Sequence, residues 1–184
     1  MKAATPKMTD DELVKQCLNN NQGAQKELFV RFSSTMLGVC LRYTSSKSDA
    51  EDVLQEAFIK VFNKLDKYSG LGSFEGWIRR IVVNTALDYL RKNKKMQLNS
   101  SIDDVGYGIK KDHFIVEDLT AKELMKLIQR IPLGYKTIFN MYAIEGYSHK
   151  EIAQELNISE STSKSQLSRA RSAIKELLVE NNLI

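Results

Sequence analysis

The chain has 184 residues, 42% of them hydrophobic and 27% charged, with 27 basic against 23 acidic side chains and a net charge of +4. That is room for one domain or two small ones with modest cores; no apolar run nears a membrane span and no signal peptide is visible, so a cytoplasmic protein is expected. Two cysteines and two histidines lie scattered without metal-ligand spacing, and the absence of a nucleophile–base pair or phosphate-cradling loop argues against an enzyme, a metal site or a cofactor.

Nine glycines and two prolines punctuate a sequence whose hydrophobic spacing is helical almost throughout. After a loose tail at 1–8, Thr9 and Glu12 form a capping box and open a helix with Leu13, Val14, Cys17 and Leu18 inward. A second helix over about 24–43 turns Leu28, Phe29, Phe32, Met36, Leu37, Cys40 and Leu41 inward. Cys17 and Cys40, on these apolar faces, are expected as buried free thiols in a reducing compartment. Ser48 and Glu51 make a second capping box for a third helix, with Ala50, Val53, Leu54, Ala57, Phe58, Val61 and Leu65 as its core stripe. Asp52, Gln55, Glu56 and Asn63 lie on its outer side. The helix dipole by itself accounts for acidic Asp49, Glu51 and Asp52 in the first turns.

A glycine-containing loop, KYSGLGSFEGW at 67–77, leads into a fourth helix over about 74–92, capped by Ser73. Trp77, Ile78, Ile81, Val82, Thr85, Ala86, Tyr89 and Leu90 form its wide apolar side, and Arg80, Asn84, Asp88 and Arg91 line the other. Between Arg79 and Lys95 six basic residues stand against one acid, Asp88, which makes a cationic surface. Residues 96–118 then lose all sustained period and fit a linker between helical domains at 9–95 and 119–180. Thr120 and Glu123 open a helix with Leu124, Leu127, Ile128 and Ile131 inward, which Pro132 stops. A helix over about 135–145 follows, with Ile138, Phe139, Tyr142 and Ile144 inside, and Gly146 ends it. The fold class is all-α, two small helical domains joined by a flexible segment.

The stretch 146–171, GYSHKEIAQELNISESTSKSQLSRAR, reads as two short helices about a tight turn. Ser148 and Glu151 form a capping box, and Ile152, Ala153 and Leu156 face inward. Asn157 tolerates the left-handed turn, Ile158 plugs the corner and Ser159 caps the second helix. There Ser163, Leu167, Ala170 and Ile174 make the inner stripe, while Lys164, Arg169, Arg171 and Lys175 meet no acid between Ser161 and Lys175. This pattern fits a helix-turn-helix whose second helix suits a phosphate-lined major groove. Taken alone it also fits a solvated helical hairpin, or an autonomous repressor or activator.

Three motifs in order, DAEDVLQEAF at 49–58, SFEGWIRRIVVNTALDYLRK at 73–92 and EGYSHKEIAQELNISESTSKSQLSRAR at 145–171, resemble those of an extracytoplasmic-function sigma factor, a compact member of the sigma-70 family. The resemblance covers about Asp11 to Leu178. It implies that the first domain is sigma region 2, which binds core RNA polymerase and opens the −10 element, and the second is region 4, which recognises the −35 element. It places Asp49, Asp52, Gln55 and Glu56 against the polymerase. It places Tyr68, Ser69, Gly70 and Leu71 of the loop, with Phe74, Trp77, Arg80, Asn84, Asp88 and Arg91, at the −10 element. Phe74 and Trp77 stay open between core and stacking roles, and their bulk favours the core. Lys164, Ser165, Ser168 and Arg169 match −35 contacts, with Thr162, Gln166 and Arg171 beside them as phosphate or base-edge contacts. Ser163 stands where the family usually has valine, and Ser168 where a bulkier side chain is common. An anti-sigma factor is a further partner the resemblance implies, without a visible signature in the sequence.

Overall fold

The computed structural model describes residues 8–93, 121–181 and 183, all in helices and turns. They divide into two compact units, one ending at Lys92 and the other starting at Asn93. The tail at 1–7, the segment 96–118 and the expected cap at Thr120 lie outside the described residues.

In the first unit α1 (Asp10–Leu18) opens on the expected capping box, with the Thr9 side chain accepting from the Glu12 N–H and Glu12 accepting from the Thr9 N–H. The long helix α2 (Gln22–Tyr43) packs against α1, α3 (Lys47–Asn63) and α4 (Phe74–Lys92), and α3 and α4 pack on each other. The α2 stripe runs through Leu28, Phe32, Met36, Val39, Cys40 and Tyr43, which leaves Leu37 half-buried and Leu41 at the edge. Leu18, Phe29 and Leu41, expected inside, are 48%, 38% and 39% exposed. Phe29 lies edge-on to the buried Phe58, ring centroids 4.8 Å apart, and so roofs the core instead of entering it. Cys17 and Cys40 are buried free thiols. Burial pushes the Cys40 pKa up to about 12, which keeps that thiol protonated and inert.

The cap of α3 differs from expectation. Ser46 accepts from the Asp49 N–H at 3.0 Å, so the helix starts at Lys47 and Ser48 lies inside its first turn. Both serines have a suitable residue three positions on, and Thr44, whose hydroxyl bonds to Cys40 and Ser46 carbonyls, ends α2 early enough for the first to win. A 3-10 turn at Leu65–Lys67 follows α3 and keeps Leu65 buried.

In the second unit α5 (Ala121–Arg130) and α6 (Leu133–Phe139) pack on the long α8 (Glu160–Glu180), and α7 (His149–Leu156) packs on α8 as well. Leu127, Ile128, Ile131, Tyr135, Ala170, Ala173, Ile174 and Leu178 form one core. The helix expected over 135–145 starts earlier, at Leu133 after Pro132, and widens at Asn140–Ile144 into a π turn. There the Glu145 N–H donates to Asn140 O and the Tyr147 N–H to Met141 O, both at 2.9 Å. The extra residue per turn rotates the last side chains outward, so Tyr142 and Ile144, expected inside, are 36% and 38% exposed. Gly146 closes the turn with φ +77°, a conformation that glycine adopts without cost.

Candidate nucleic-acid interface

The helix-turn-helix stands as its local chemistry requires. Ser148 and Glu151 cap α7 reciprocally, Asn157 takes the left-handed conformation at φ 53°, and Ser159 accepts from the Thr162 N–H at 3.0 Å. Ser163, Leu167, Ala170 and Ile174 are all buried. On the other side of α8, Lys164, Ser165 and Arg171 are exposed, and Thr162, Ser168 and Arg169 half-exposed. Lys164 pairs loosely with Glu160 at 3.8 Å, a surface contact that a phosphate would displace at little cost. Gln166 departs from its expected place. It is 5% exposed, and its buried Oε1 has no partner among the described residues. Helical spacing puts it with Ser163, Ala170 and Ala173 at i−3, i+4 and i+7, so it belongs to the inner side and is no groove contact.

His149 begins α7, and its Nδ1 is 2.9 Å from Ser163 Oγ on α8, while its ring stacks on Tyr142 at 4.5 Å. Burial lowers its pKa most and nearby Lys164 next; Glu160 lifts it in part, and Arg171 lowers it further. The imidazole is therefore neutral at pH 7.

In the first unit the loop before α4 projects outward, with Ser69, Gly70 and Leu71 exposed and Leu71 at 86%. Gly70 and Gly72 hold φ of +73° and +83°, and the Tyr68 hydroxyl donates to Gly72 O at 3.1 Å to close the loop. Phe74, placed by resemblance among the −10 contacts, is 1% exposed and is a core residue. It sits edge-on to Phe32 at 5.5 Å and begins the stripe continued by Ile78 and Val82. Trp77 is half-buried, parallel to Phe74 at 5.9 Å and 5.6 Å from Tyr68, so the aromatic surface by the loop is Tyr68 and Trp77 on a Phe74 base.

Along α4, Arg80 and Arg91 are exposed and Asn84 and Asp88 half-buried, and the Asn84 Oδ1 is a buried acceptor without a partner among the described residues. Asp88 is held from two sides, by Arg91 at 2.6 Å and by Lys60 of α3 at 3.3 Å. Lys60 also pairs with Glu56 at 2.9 Å, and Lys92 approaches Glu56 at 3.9 Å. Asp52 and Gln55 are exposed on the same helix, and Asp49 and Glu56 are half-buried. A chain of charge thus joins the Glu56 carboxylate of α3 to Asp88 and Arg91 of α4 through Lys60. Burial alone would lower the Lys60 pKa; the hydrogen bonds and charges of Glu56 and Asp88 outweigh it and hold the ammonium above its ordinary value. Sequence reasoning missed Lys60. Its spacing of four from Glu56 was the available signal, and Asp88 lies too far along the chain to have one.

Among the described residues no group of acidic, cysteine and histidine side chains is placed to hold a metal, and no helix is long and apolar enough to cross a membrane.

Known proteins extend this geometry. The model of sigma-70 region 2 matches residues 28–96, and that of sigma-70 region 4 matches 121–174. The chain is 29% identical over 179 residues to the ECF RNA polymerase sigma-E factor of Haemophilus influenzae, covering 91% of this chain and 94% of that one. It is also 29% identical over 178 residues to that of Escherichia coli K12, at 91% and 93% coverage. Among solved structures, CnrH in complex with the cytosolic domain of CnrY aligns at TM-score 0.51 and 21% identity, over 91% of this chain and 96% of that one. The sigma factor RpoE in complex with the anti-sigma factor NepR from Bartonella quintana aligns at 0.53 and 19%, over 83% and 95%. At these identities the two structures establish a shared fold.

Proposed function

Since the chain belongs to the sigma-70 family, as an extracytoplasmic-function sigma factor that binds core RNA polymerase and directs it to promoters, we propose that its two cationic faces divide promoter recognition between them. On this reading α8 docks in the major groove of the −35 element with Lys164, Ser165, Ser168 and Arg169 toward base edges, and Thr162 and Arg171 toward phosphates. The first unit takes the melted −10 strand. Tyr68 and Trp77 offer stacking faces, the loop at Ser69–Leu71 receives an unstacked base, and Arg80, Asn84, Asp88 and Arg91 line the strand's path. Asp49, Asp52, Gln55 and Glu56 face the polymerase.

The functional domains are then 9–95 and 119–180, with 96–118 as the linker. The protein works in the cytoplasm, where polymerase and promoters are, and has no catalytic step of its own. An anti-sigma factor that covers these faces is a further proposed partner.

The observation that carries the reading is the separation of faces on α8: four inner positions are buried, while Lys164, Ser165 and Arg171 remain exposed. A protein with one such helix needs only duplex DNA. The partly open carboxylate side of α3 and the aromatic loop before α4 supply the surfaces that polymerase and single strand require.

The test is reconstitution. The purified chain should co-purify with core polymerase and start transcription at a defined promoter. Glu56→Lys should weaken polymerase binding with the fold intact. Tight duplex binding without polymerase, together with failure to bind core, would return the chain to an autonomous regulator.

A further inference from the structure

His149 and Ser163 belong to none of the contact sets above, yet they join the two helices of the motif. Ser163 is 0% exposed in an otherwise apolar stripe, a place where an unpartnered hydroxyl is costly. Its partner is His149 Nδ1 at 2.9 Å. The imidazole is itself held from two directions. Its backbone is the first residue of α7, fixed by the Ser148–Glu151 box, in which the Ser148 N–H donates to the Glu151 carboxylate at 2.9 Å. Its ring stacks on Tyr142 of the π turn, with planes 22° apart. Three successive elements, the π turn, α7 and α8, converge on one side chain.

The point of contact matters because Ser163 directly precedes Lys164. Close-packed apolar contacts set which side of α8 faces inward and resist its rotation, but they have no directional preference at the scale of an ångström. A hydrogen bond has one. A side-chain tip on a helix lies about 6 Å from the axis, so a rotation of about 20° moves it by about 2 Å. That displacement exceeds what a base-edge hydrogen bond tolerates. Ser163 sits near the N-terminal end of α8, the end of a recognition helix that reaches base edges.

We propose that His149 is a positioning residue for −35 recognition: by bonding Ser163 Oγ from a ring clamped on Tyr142, it fixes the rotation of α8 that aims Lys164, Ser165 and Ser168. The inference rests on the promoter-reading role of α8 proposed above.

The test uses the full chain assembled with core polymerase and two promoter fragments, one with its mapped −35 word intact and one with that word scrambled. The quantity read is the ratio of the two affinities. A variant that only lowers the folded fraction weakens both fragments alike, whereas a misaimed helix loses the ratio. His149→Ala should reduce the ratio about three- to tenfold, and Ser163→Ala similarly. The double variant should be no worse than the poorer single one, because both remove the same bond. His149→Asn, whose amide can occupy the Nδ1 position but which has no ring to stack on Tyr142, should recover part of the ratio. An unchanged ratio in the single variants overturns the proposal, as do equal losses on both fragments or additive losses in the double variant. A wild-type assembly that does not distinguish the fragments overturns instead the promoter-reading role of α8.

Discussion

Replacing Phe74 by alanine separates a core residue from a DNA contact. The ring is 1% exposed and touches three others, Phe32 at 5.5 Å, Tyr68 at 4.9 Å and Trp77 at 5.9 Å. Truncation of such a side chain costs about 3–5 kcal/mol, in which the lost aromatic pairs are included. A domain of this size has about 5–15 kcal/mol in all, so the first unit should become marginal. With an m-value of about 1 kcal/mol/M in urea, the midpoint should fall by about 3 M or more. Trp77 makes the assay specific, because it is the only tryptophan in the chain and lies in the first unit. Its fluorescence midpoint reports that unit alone; intensity does not serve, since Phe74 is its stacking partner. Phe74→Leu, nearer in volume, should cost less than the alanine variant and retain promoter opening. A Phe74→Ala protein with its midpoint within about 0.5 M of wild type, yet unable to open a promoter, would refute the core assignment.

Three further outcomes are expected. Asp88→Ala removes one partner from each of Lys60 and Arg91; these pairs are solvent-exposed in part, so stability should change by less than about 1 kcal/mol, while single-strand binding should become more salt-dependent. Salt titration of binding to an oligonucleotide checks this, and an unchanged slope counts against Asp88 as the tether. Asn157→Val places a β-branched residue at φ 53° and should cost about 1–2 kcal/mol, read as faster hydrogen exchange in α7 and α8. His149 has a folded pKa below its ordinary 6.5, so below that pH the unfolded state binds more protons than the folded one. The second unit should therefore keep its full stability above pH 6.5 and lose part of it as pH falls through the folded pKa. Thermal unfolding between pH 7.5 and 5 should show a slope that His149→Asn flattens.

Cationic charge on α4 is less available than its sequence implies. Arg91 and Lys60 converge on Asp88, and Lys60 and Lys92 lie near Glu56. A partner that took up Glu56 would release Lys60 toward Asp88 and alter the charge beside Asn84. The polymerase-facing and DNA-facing sides proposed for this unit are thus in electrostatic contact through one lysine.

Local chemistry was legible in the chain itself. The capping boxes at Thr9 and Ser148, the cap at Ser159, the left-handed Asn157 and the buried stripe of α8 all depend on residues three or four apart, and periodicity carries that information. Gln166 was read as a groove contact from its chemistry; its place three residues from Ser163 and four from Ala170 was the signal that it is buried on the inner side. Tertiary structure decided what depends on neighbours distant in sequence. Phe74 is core because Phe32 meets it from α2, and Phe29 is a roof because Phe58 already fills the space beneath. Asp88 is tethered because α3 brings Lys60 within 3.3 Å, and His149 gained a partner when α8 placed Ser163 beside it. A sequence specifies which side of a helix is apolar, but burial, ion pairing and aim are properties of the surface that packs against it.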